Sequence, residues 1–535
     1  MTGARPSPPP IPPGRVVLHV GPHKTGTTSV QSAFHLARRS AAAQGVHYAG
    51  PDRHAVVAVQ AAIEPAKARP AALRRWRRLV REMRSAARAG QRVVLSSEWL
   101  ADAKPEAIER IVGEVGGDGD EPGVHVVVTV RSLDRVLPSQ WQQYVAAGFE
   151  VDYETWVRRV LDDPSGGPTP TFWHRHRHDE LVHRWAAAVR RPRVMAVVVD
   201  DRDHKAVLRS FEWLVGLRHG TLVAEESRSN RSLTVPEAEQ VRAINRRLNA
   251  EVPSPPLRLN LGLYGATAAL RARIPAADEP RLRTPSWARR RVGEIERQIA
   301  AGLHESGATI VGDIDELVSP AEDERDRPQV GTAPCPSDVE VAVAVTSAVG
   351  VLTAAGLARG RRPDSQAQPT RQALEPLSTV RLTRVVVGRV RSVGRGWSRL
   401  IRGLLRLRDD PRPAARELTD DERTILRAFE ARTAAEGLPP HIARSVISEG
   451  VMPEMLGRDR SSESPAIPEI GASVAMGVVR AAGLLPRKPG GRRRPPPLAT
   501  VETPEVARVS TPAIALEVVR RHLARVAVRA TGRGR

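Results

Sequence analysis

The sequence predicts an α/β protein in which a parallel sheet lies between two layers of helices. Four short runs rich in β-branched residues carry the prediction, and none shows the alternation of apolar and polar residues typical of half-exposed strands: 15–20, 92–97, 123–130 and 193–200. Continuous apolar runs of this kind indicate strands that are covered on both faces. The stretches between them are long enough for crossover helices, which parallel strands require.

Composition divides the chain into four parts. Residues 1–14 are rich in proline and are expected to form a disordered leader, and residues 15–318 hold the predicted α/β domain. Residues 319–340 combine prolines with charges and read as a linker. Residues 341–535 are predicted to be a basic, mostly helical and partly disordered C-terminal region.

The charge is strongly positive and is concentrated near the C-terminus. Lys and Arg (82) exceed Asp and Glu (60), which gives a formal net charge of +22. The residues after 330 carry 34 basic and 20 acidic side chains, so +14 of that charge lies there. This favours a polyanion or an anionic membrane surface as partner, although general enrichment in arginine explains it equally well.

Two C-terminal segments have distinct helical patterns. Residues 381–408 place arginines among Val, Leu, Ile and Trp, so a helix there has one basic and one apolar face. It can lie in a membrane interface or on a polyanion, or it can pack its apolar side on the protein. Thr419 and Glu422 form a capping box at the start of a second helix. No specific nucleic-acid partner is indicated, and the oligomeric state stays open.

Cysteine usage and hydropathy predict a cytoplasmic protein, membrane-peripheral at most. Cys335 is the only cysteine, which excludes an intramolecular disulfide and suits a reducing compartment. The first residues show no stretch of signal-peptide type before their prolines. Residues 341–363 are apolar but rich in Ala, Ser and Thr, so no transmembrane helix is predicted.

The run VVLHVGPHKTGTTSV, residues 16–30, reads as a strand, a glycine-containing turn and a helix, the layout of an anion-binding loop. Gly26 permits the tight turn, and the amides at the following helix N-terminus point at the anion. A nucleoside triphosphate loop would carry lysine directly after this glycine, but Thr27 stands there. Lys24 lies inside the turn, where we expect it to contact the leaving phosphate of a shorter anhydride.

Lys-Thr-Gly-Thr-Thr at 24–28 resembles the 5′-phosphosulfate loop of sulfotransferases that use 3′-phosphoadenosine 5′-phosphosulfate (PAPS). His23 replaces the proline that is usual in that family. Arg131 follows a predicted strand and Ser139 comes eight residues later, as in the family's 3′-phosphate site. The resemblance covers about residues 15–317, is closest to bacterial members, and implies a sulfotransferase fold of P-loop type. The cofactor contacts that it implies are Lys24, Thr25, Gly26, Thr27, Thr28, Arg131 and Ser139.

The resemblance implies transfer of a sulfuryl group from PAPS to a hydroxyl or amine of an acceptor, such as a carbohydrate, a lipid or a small metabolite. Lys24 is expected to stabilise the leaving phosphate. Family members use a histidine or a glutamate as base, and Glu98 follows a predicted strand at the edge where ligands bind in such sheets. Glu98 can equally be a helix-initiating glutamate stabilised by the dipole, which leaves His23 and His54 as further candidates.

Four histidines between residues 172 and 185 form the remaining candidate cluster: His174, His176, His178 and His183. His174 and His178 would share a face of one helix, but no third ligand is evident, so we predict a basic face and no metal site. Two other functions remain open. One is a kinase or NTPase of related type, and the other is a catalytically weak nucleotide-binding protein that docks a membrane or polyanion through its C-terminal part.

Overall fold

A computed structural model describes residues 9–116, 123–163, 165, 167–189, 193–224, 231–319, 337–359, 419–435, 447 and 466–481. The predicted amphipathic segment 381–408 lies outside these residues, as do positions 1–8 of the predicted leader and 320–336 of the predicted linker. None of the described helices is long and apolar enough to cross a membrane.

The described residues form one six-stranded sheet in which all neighbouring strands are parallel. Its strands are β1 (Val16–Val20), β2 (Val46–Tyr48), β3 (Arg92–Ser96), β4 (Val124–Val130), β5 (Val194–Val198) and β6 (Thr309–Val311). Their order is β2-β3-β1-β4-β5-β6. The four strands predicted from sequence are confirmed, and the α/β class with a parallel sheet is confirmed with them.

The chain divides into two compact units, the first formed by Met1–Trp141, Tyr153–Ser227 and Arg283–Gln329. This unit holds the sheet and the following helices: α1 (Thr27–Leu36), α2 (Arg38–Ala42), α3 (Val56–Ile63), α4 (Pro70–Arg88), α5 (Pro105–Gly116), most of α6 (Leu133–Ala146), α7 (Tyr153–Asp162), α8 (Thr171–His176), α9 (His178–Val189), α10 (Ala206–Leu214) and, later in the chain, Ser286–Glu305.

The second unit consists of Gln142–Asp152, Arg228–Leu282 and Val330–Arg535. Its described helices are α11 (Val235–Glu251), α12 (Pro255–Leu261), α13 (Ala268–Ala272), α15 (Ser337–Arg359), α16 (Asp420–Ala435) and α17 (Ile467–Ala481). The label α14 is given to Ser286–Glu305, which belongs to the first unit. A π-helical segment, Gly262–Thr267, joins α12 to α13. The predicted domain boundary at residue 318 does not coincide with the boundary between the two units, because residues 142–152 and 228–282 belong to the same unit as the C-terminal helices.

Helices cover both faces of the sheet. Every residue of β1 and β5 is buried, which requires packing on each side of these central strands. On one face Val17, Val94 and Val127 share a core with Phe34 of α1 and Phe211 of α10. The arrangement is therefore layered as the sequence predicts, with the strands at its centre.

The end of the predicted leader is ordered on the first unit. Ile11 is only 2% exposed and belongs to the core beneath α10. Its amide donates to the Leu214 carbonyl at 2.8 Å, and its carbonyl accepts from Nε of Arg92. Residues 9–14 therefore depart from the expected disordered leader, because the buried side chain of Ile11, one backbone hydrogen bond and one hydrogen bond from the Arg92 side chain hold this segment in place.

Candidate functional site

Three adjacent strands end at the same edge of the sheet and bring the predicted site residues to that edge. β3 and β4 pair with β1 on its two sides, so the strand order reverses at β1. Ligands of open α/β sheets bind at the carboxyl ends of the strands at such a reversal point. Lys24 follows β1, Glu98 follows β3 and Arg131 follows β4.

The turn after β1 has the backbone of an anion-binding loop. Gly26 caps α1 with φ of 82°, and Lys24 has φ of 71°, the left-handed region that side chains disfavour. The first intrahelical bonds of α1 run from the amides of Ser29 and Val30 to the Gly26 carbonyl. The amides before them have no acceptor within the helix, and they point outward from its positive end.

Close packing under the turn requires a glycine where β1 ends. A Cβ atom on Gly21 would lie 2.1 Å from Oγ1 of Thr27 and 2.8 Å from Nε2 of His19. Neither neighbour can withdraw easily, since both side chains are buried. The glycine at position 21 thus allows the loop to sit directly on the sheet.

A buried chain of hydrogen bonds connects the loop to the sheet, and the donor and the acceptor of each bond follow from the bond before it. The Thr25 hydroxyl donates to the Pro22 carbonyl at 2.8 Å, so it accepts from the Thr129 hydroxyl at 2.7 Å. Thr129 in turn accepts from Nε2 of His19 at 3.2 Å, and Nδ1 of His19 accepts from Ser96 at 2.8 Å. Burial lowers the pKa of His19 to about 3, which keeps the ring neutral as this order requires.

This chain of hydrogen bonds changes the expected role of Thr25, one of the predicted cofactor contacts. The Thr25 amide also donates to the Pro22 carbonyl, at 3.3 Å, so both donors of Thr25 are engaged inside the loop. The hydroxyl of Thr27 lies 3.3 Å from the same carbonyl. In this conformation Thr25 supports the turn, whereas Thr28 is exposed and Lys24 is half-buried.

Arg131 reaches the loop and is held by a carboxylate. Its Nε donates to Oδ2 of Asp201 at 3.0 Å, its second nitrogen contacts Oδ1 of the same residue, and Nη1 donates to the Lys24 carbonyl at 2.9 Å. Three of its five N–H groups are used in this way. Arg131 therefore fixes the backbone of Lys24, and two of its N–H groups have no hydrogen-bond partner among the described residues.

A second arginine shares that carboxylate. Nε of Arg135 lies 3.9 Å from Oδ2 of Asp201, and the Arg135 side chain is 41% exposed. Ser139 is half-buried one turn further along α6, on the same helix face as Arg135. Oδ2 of Asp134 lies 4.0 Å from Nε of Arg135, so two carboxylates, Asp201 and Asp134, face the two guanidinium groups at this place.

Pro138 lies inside α6 and removes one helical hydrogen bond. The carbonyl that it leaves unpaired, that of Asp134, accepts instead from the hydroxyl of Thr284 at 3.0 Å. The hydrogen bond from Thr284 thus satisfies the carbonyl that Pro138 leaves without a helical partner.

Glu98 begins a short 3₁₀ turn, Glu98–Asp102, after β3 and is linked to a second base candidate. Nε2 of Gln31 donates to the Glu98 carboxylate at 3.1 Å, and its Oε1 accepts from Nδ1 of His54 at 2.6 Å. Nε2 of His54 accepts from Nε of Arg53 at 3.1 Å. The lone pair that His54 would need as a base is thus occupied, whereas Glu98 has a second carboxylate oxygen.

His23 is buried within the loop itself. Burial is the main cause that lowers its pKa to about 4, and the positive charges of Arg175 and Lys24 lower it further, while Glu98 and Asp102 oppose the shift. Its ring lies edge-on to the half-buried indole of Trp99, with ring centroids 5.5 Å apart. His23 is consequently neutral at pH 7 and is a weak base.

The ionic partner of Arg175 is Asp102, whose Oδ2 accepts from Nη2 at 2.7 Å. The guanidinium also lies 5.9 Å from the centroid of the Trp99 ring. This ion pair and the indole hold the acidic turn after β3 against α8, on the side of the site where Glu98 lies.

The prediction of a basic histidine face is wrong. The chain leaves the helical conformation at Arg177, where ψ is 81°, so His174 and His178 belong to different helices, α8 and α9. His176 and His178 are 0% and 1% exposed, and burial lowers both pKa values. The described residues contain no group of three or more His, Cys, Asp or Glu side chains that could hold a metal ion.

Sequence reasoning missed the residues that position the site. Asp201 follows β5 at the same edge, and its place after an apolar run was a signal that could have been used. Gln31 on α1 and Thr129 at the end of β4 carried no signal, because their roles depend on partners that are distant in sequence.

Comparison of the chain with models of protein families, with curated proteins and with solved structures finds no match.

Proposed function

We propose that this chain is a PAPS-dependent sulfotransferase of P-loop type, which moves a sulfuryl group to a hydroxyl or amine of an acceptor. The observation that carries the proposal is the position of Lys24 in the turn between β1 and α1, where Arg131 donates a hydrogen bond to its carbonyl. A lysine at this place lies beside the α1 amides. A nucleoside triphosphate loop instead has its lysine on the helix.

The phosphosulfate would bind at the N-terminus of α1. During transfer the bond between sulfur and the 5′-phosphate oxygen breaks, and a bond from the acceptor oxygen or nitrogen to sulfur forms. Charge builds on the departing phosphate, where the α1 amides and Lys24 would stabilise it. A site for the 3′-phosphate is supported by Arg131 and Arg135, with Ser139 on the following turn.

Glu98 is the base that we favour. It follows β3 beside the loop, and Gln31 orients one of its oxygens; the other has no hydrogen-bond partner among the described residues and would accept the proton of the acceptor. Nε2 of His54 accepts a hydrogen bond from Arg53, so its lone pair is occupied. The pKa of His23 is lowered to about 4, so its neutral imidazole is a poor proton acceptor. The acceptor itself is not identified by these residues.

The test compares two nucleotides. We expect 3′-phosphoadenosine 5′-phosphate to raise the thermal midpoint by several degrees, since a ligand at 100 times its Kd stabilises by about 2.7 kcal/mol, and we expect ATP with Mg²⁺ to have little effect. Incubation with labelled PAPS and candidate acceptors then tests transfer. Binding of the bisphosphate without transfer would favour the catalytically weak alternative.

The matched control is a lysine outside the site. Lys67 is exposed and, within the described part of the chain, its ionic partner is Glu64, so Lys67→Ala should bind the bisphosphate as the wild type does. Lys24→Ala should bind it more weakly. Preferential stabilisation of the wild type by ATP with Mg²⁺ would overturn the proposal.

A further inference from the structure

Helix α4 presents an unusual solvent face. The 19 residues Pro70–Arg88 contain seven arginines and one acid, Glu82. The apolar side packs inward through Trp76, Leu79, Val80 and Met83, all at most 8% exposed. The side that faces water is therefore composed almost entirely of guanidinium groups.

Six of these arginines are exposed and define what we call the arginine face: Arg74, Arg75, Arg77, Arg78, Arg81 and Arg88. At 100° per residue they lie within less than half of the helix circumference. At 1.5 Å per residue they extend over about 21 Å, a mean separation of about 4.2 Å of axis between successive arginines.

The arginine face lacks the acidic partners of an ordinary solvated helix. Within the part of the chain that the structure describes, none of its six arginines forms an ion pair. The single acid, Glu82, accepts from His47 at 2.8 Å and from the Gly50 amide at 2.8 Å, so it is turned towards β2. Like charges three and four positions apart, such as Arg74 and Arg78, each cost about 0.2–0.5 kcal/mol. A bound polyanion would relieve this repulsion.

The face suits one class of polyanion better than others. A membrane interface requires large exposed apolar side chains beside the charges, but on α4 the large apolar side chains are buried, apart from the half-buried Leu73. A single nucleic-acid strand is held largely by stacking on aromatic side chains, and the only aromatic residue of α4, Trp76, is 3% exposed. A duplex requires only charge, and each of its strands carries one phosphate per about 3.4 Å of axis.

We propose that the arginine face of α4 binds duplex nucleic acid through its backbone phosphates, without reading base sequence. A guanidinium group can donate two parallel hydrogen bonds to phosphate oxygens, and the mean separation of the arginines, about 4.2 Å of helix axis, is of the same order as the rise of about 3.4 Å per phosphate of one strand. The proposal is independent of sulfuryl transfer, since none of these residues belongs to the site after β1.

The experiment measures binding of the full chain to a labelled duplex of arbitrary sequence while salt is raised from about 50 to 200 mM. Each phosphate neutralised contributes about −0.9 to the slope of log K against log salt. The triple variant Arg74→Gln, Arg78→Gln, Arg81→Gln should make the slope shallower by about 2 to 3 and weaken binding on the order of 10²-fold near 0.1 M salt.

The matched control removes three exposed arginines from α14 by Arg290→Gln, Arg291→Gln, Arg297→Gln. Both triples lower the net charge from +22 to +19, so general attraction changes equally. The control should keep the wild-type slope. Equal losses in the two triples, no duplex binding by the wild type, or a loss confined to anionic vesicles or sulfated polysaccharides would each overturn the proposal.

Discussion

Lys24 adopts a backbone conformation that its own side chain disfavours. At φ of 71° a residue with a Cβ costs about 1–2 kcal/mol relative to the right-handed region. Two contacts hold it there: Arg131 donates to its carbonyl, and the neighbouring Thr25 is fastened to Pro22 and Thr129. Glycine would adopt this conformation without strain, so lysine at this position indicates a role for the ammonium group.

Replacement of Lys24 should separate activity from stability. We expect Lys24→Ala to reduce sulfuryl transfer on the order of 10²–10³-fold, because one preorganised donor to the leaving group is lost. Lys24→Gly should be equally inactive while its free energy of unfolding stays the same or rises, because the strain at φ of 71° is relieved. Steady-state rates and urea unfolding test both. An active Lys24→Gly would show that the ammonium group does not act in the reaction.

Local rules predicted elements well wherever the signal lies within a few residues. The capping box at Thr419 and Glu422 is confirmed: the Thr419 amide donates to the glutamate at 2.9 Å, and the Glu422 amide donates to the threonine hydroxyl at 3.2 Å. The strands β2 and β6 were missed because each has only three residues. The break at Arg177 was missed because no proline or glycine marks it.

Glycines in helices illustrate how packing changes the effect of one substitution. A Cβ on Gly350 of α15 would lie 2.5 Å from the Gly265 carbonyl oxygen and 2.6 Å from Cβ of Ala269. The helix thus contacts the backbone of the π-helical segment directly. Gly113 of α5 has nothing within 4 Å of the same position.

Alanine at these two positions should have opposite effects. Gly350→Ala should lower the free energy of unfolding by about 1–3 kcal/mol, because backbone atoms must move to admit the methyl group. Gly113→Ala should raise it by about 0.5–1 kcal/mol, because alanine has fewer unfolded conformations to lose and no clash. Urea unfolding monitored by circular dichroism measures both. A neutral Gly350→Ala would contradict the close contact of α15 with the π-helical segment.

Across the whole molecule, buried neutral histidines make stability depend on pH. Burial lowers the pKa of His19 to about 3, lowers those of His23 and His178 to about 4, and lowers that of His176 well below its ordinary value of 6.5. Below pH 6.5 the unfolded chain binds protons at these positions while the native protein does not. Stability is therefore full above pH 6.5 and is lost as the pH falls towards 4.

We expect the free energy of unfolding to fall by several kcal/mol between pH 7 and pH 4.5. Glu296 and Glu340 oppose the trend, since burial raises both of their pKa values, but they are two groups against the four histidines. Urea unfolding at several pH values tests this. His176→Leu should flatten the pH profile, because neither ring nitrogen of His176 has a hydrogen-bond partner among the described residues. His204→Gln, at an exposed position, should leave the profile unchanged, and a pH-independent wild type would contradict the assignment.

Runs of apolar residues and the glycine turn were enough to predict four of the six strands, the parallel sheet and the positions of Lys24, Glu98 and Arg131 at its edge, because burial and turn geometry depend on neighbouring residues. The partners of those side chains were decided only by tertiary structure. Asp201 on Arg131, Gln31 on Glu98, and the chain from Ser96 to Thr25 join residues that lie far apart in sequence. The grouping of residues 142–152 and 228–282 with the C-terminal helices follows from helix packing, which chain order does not encode.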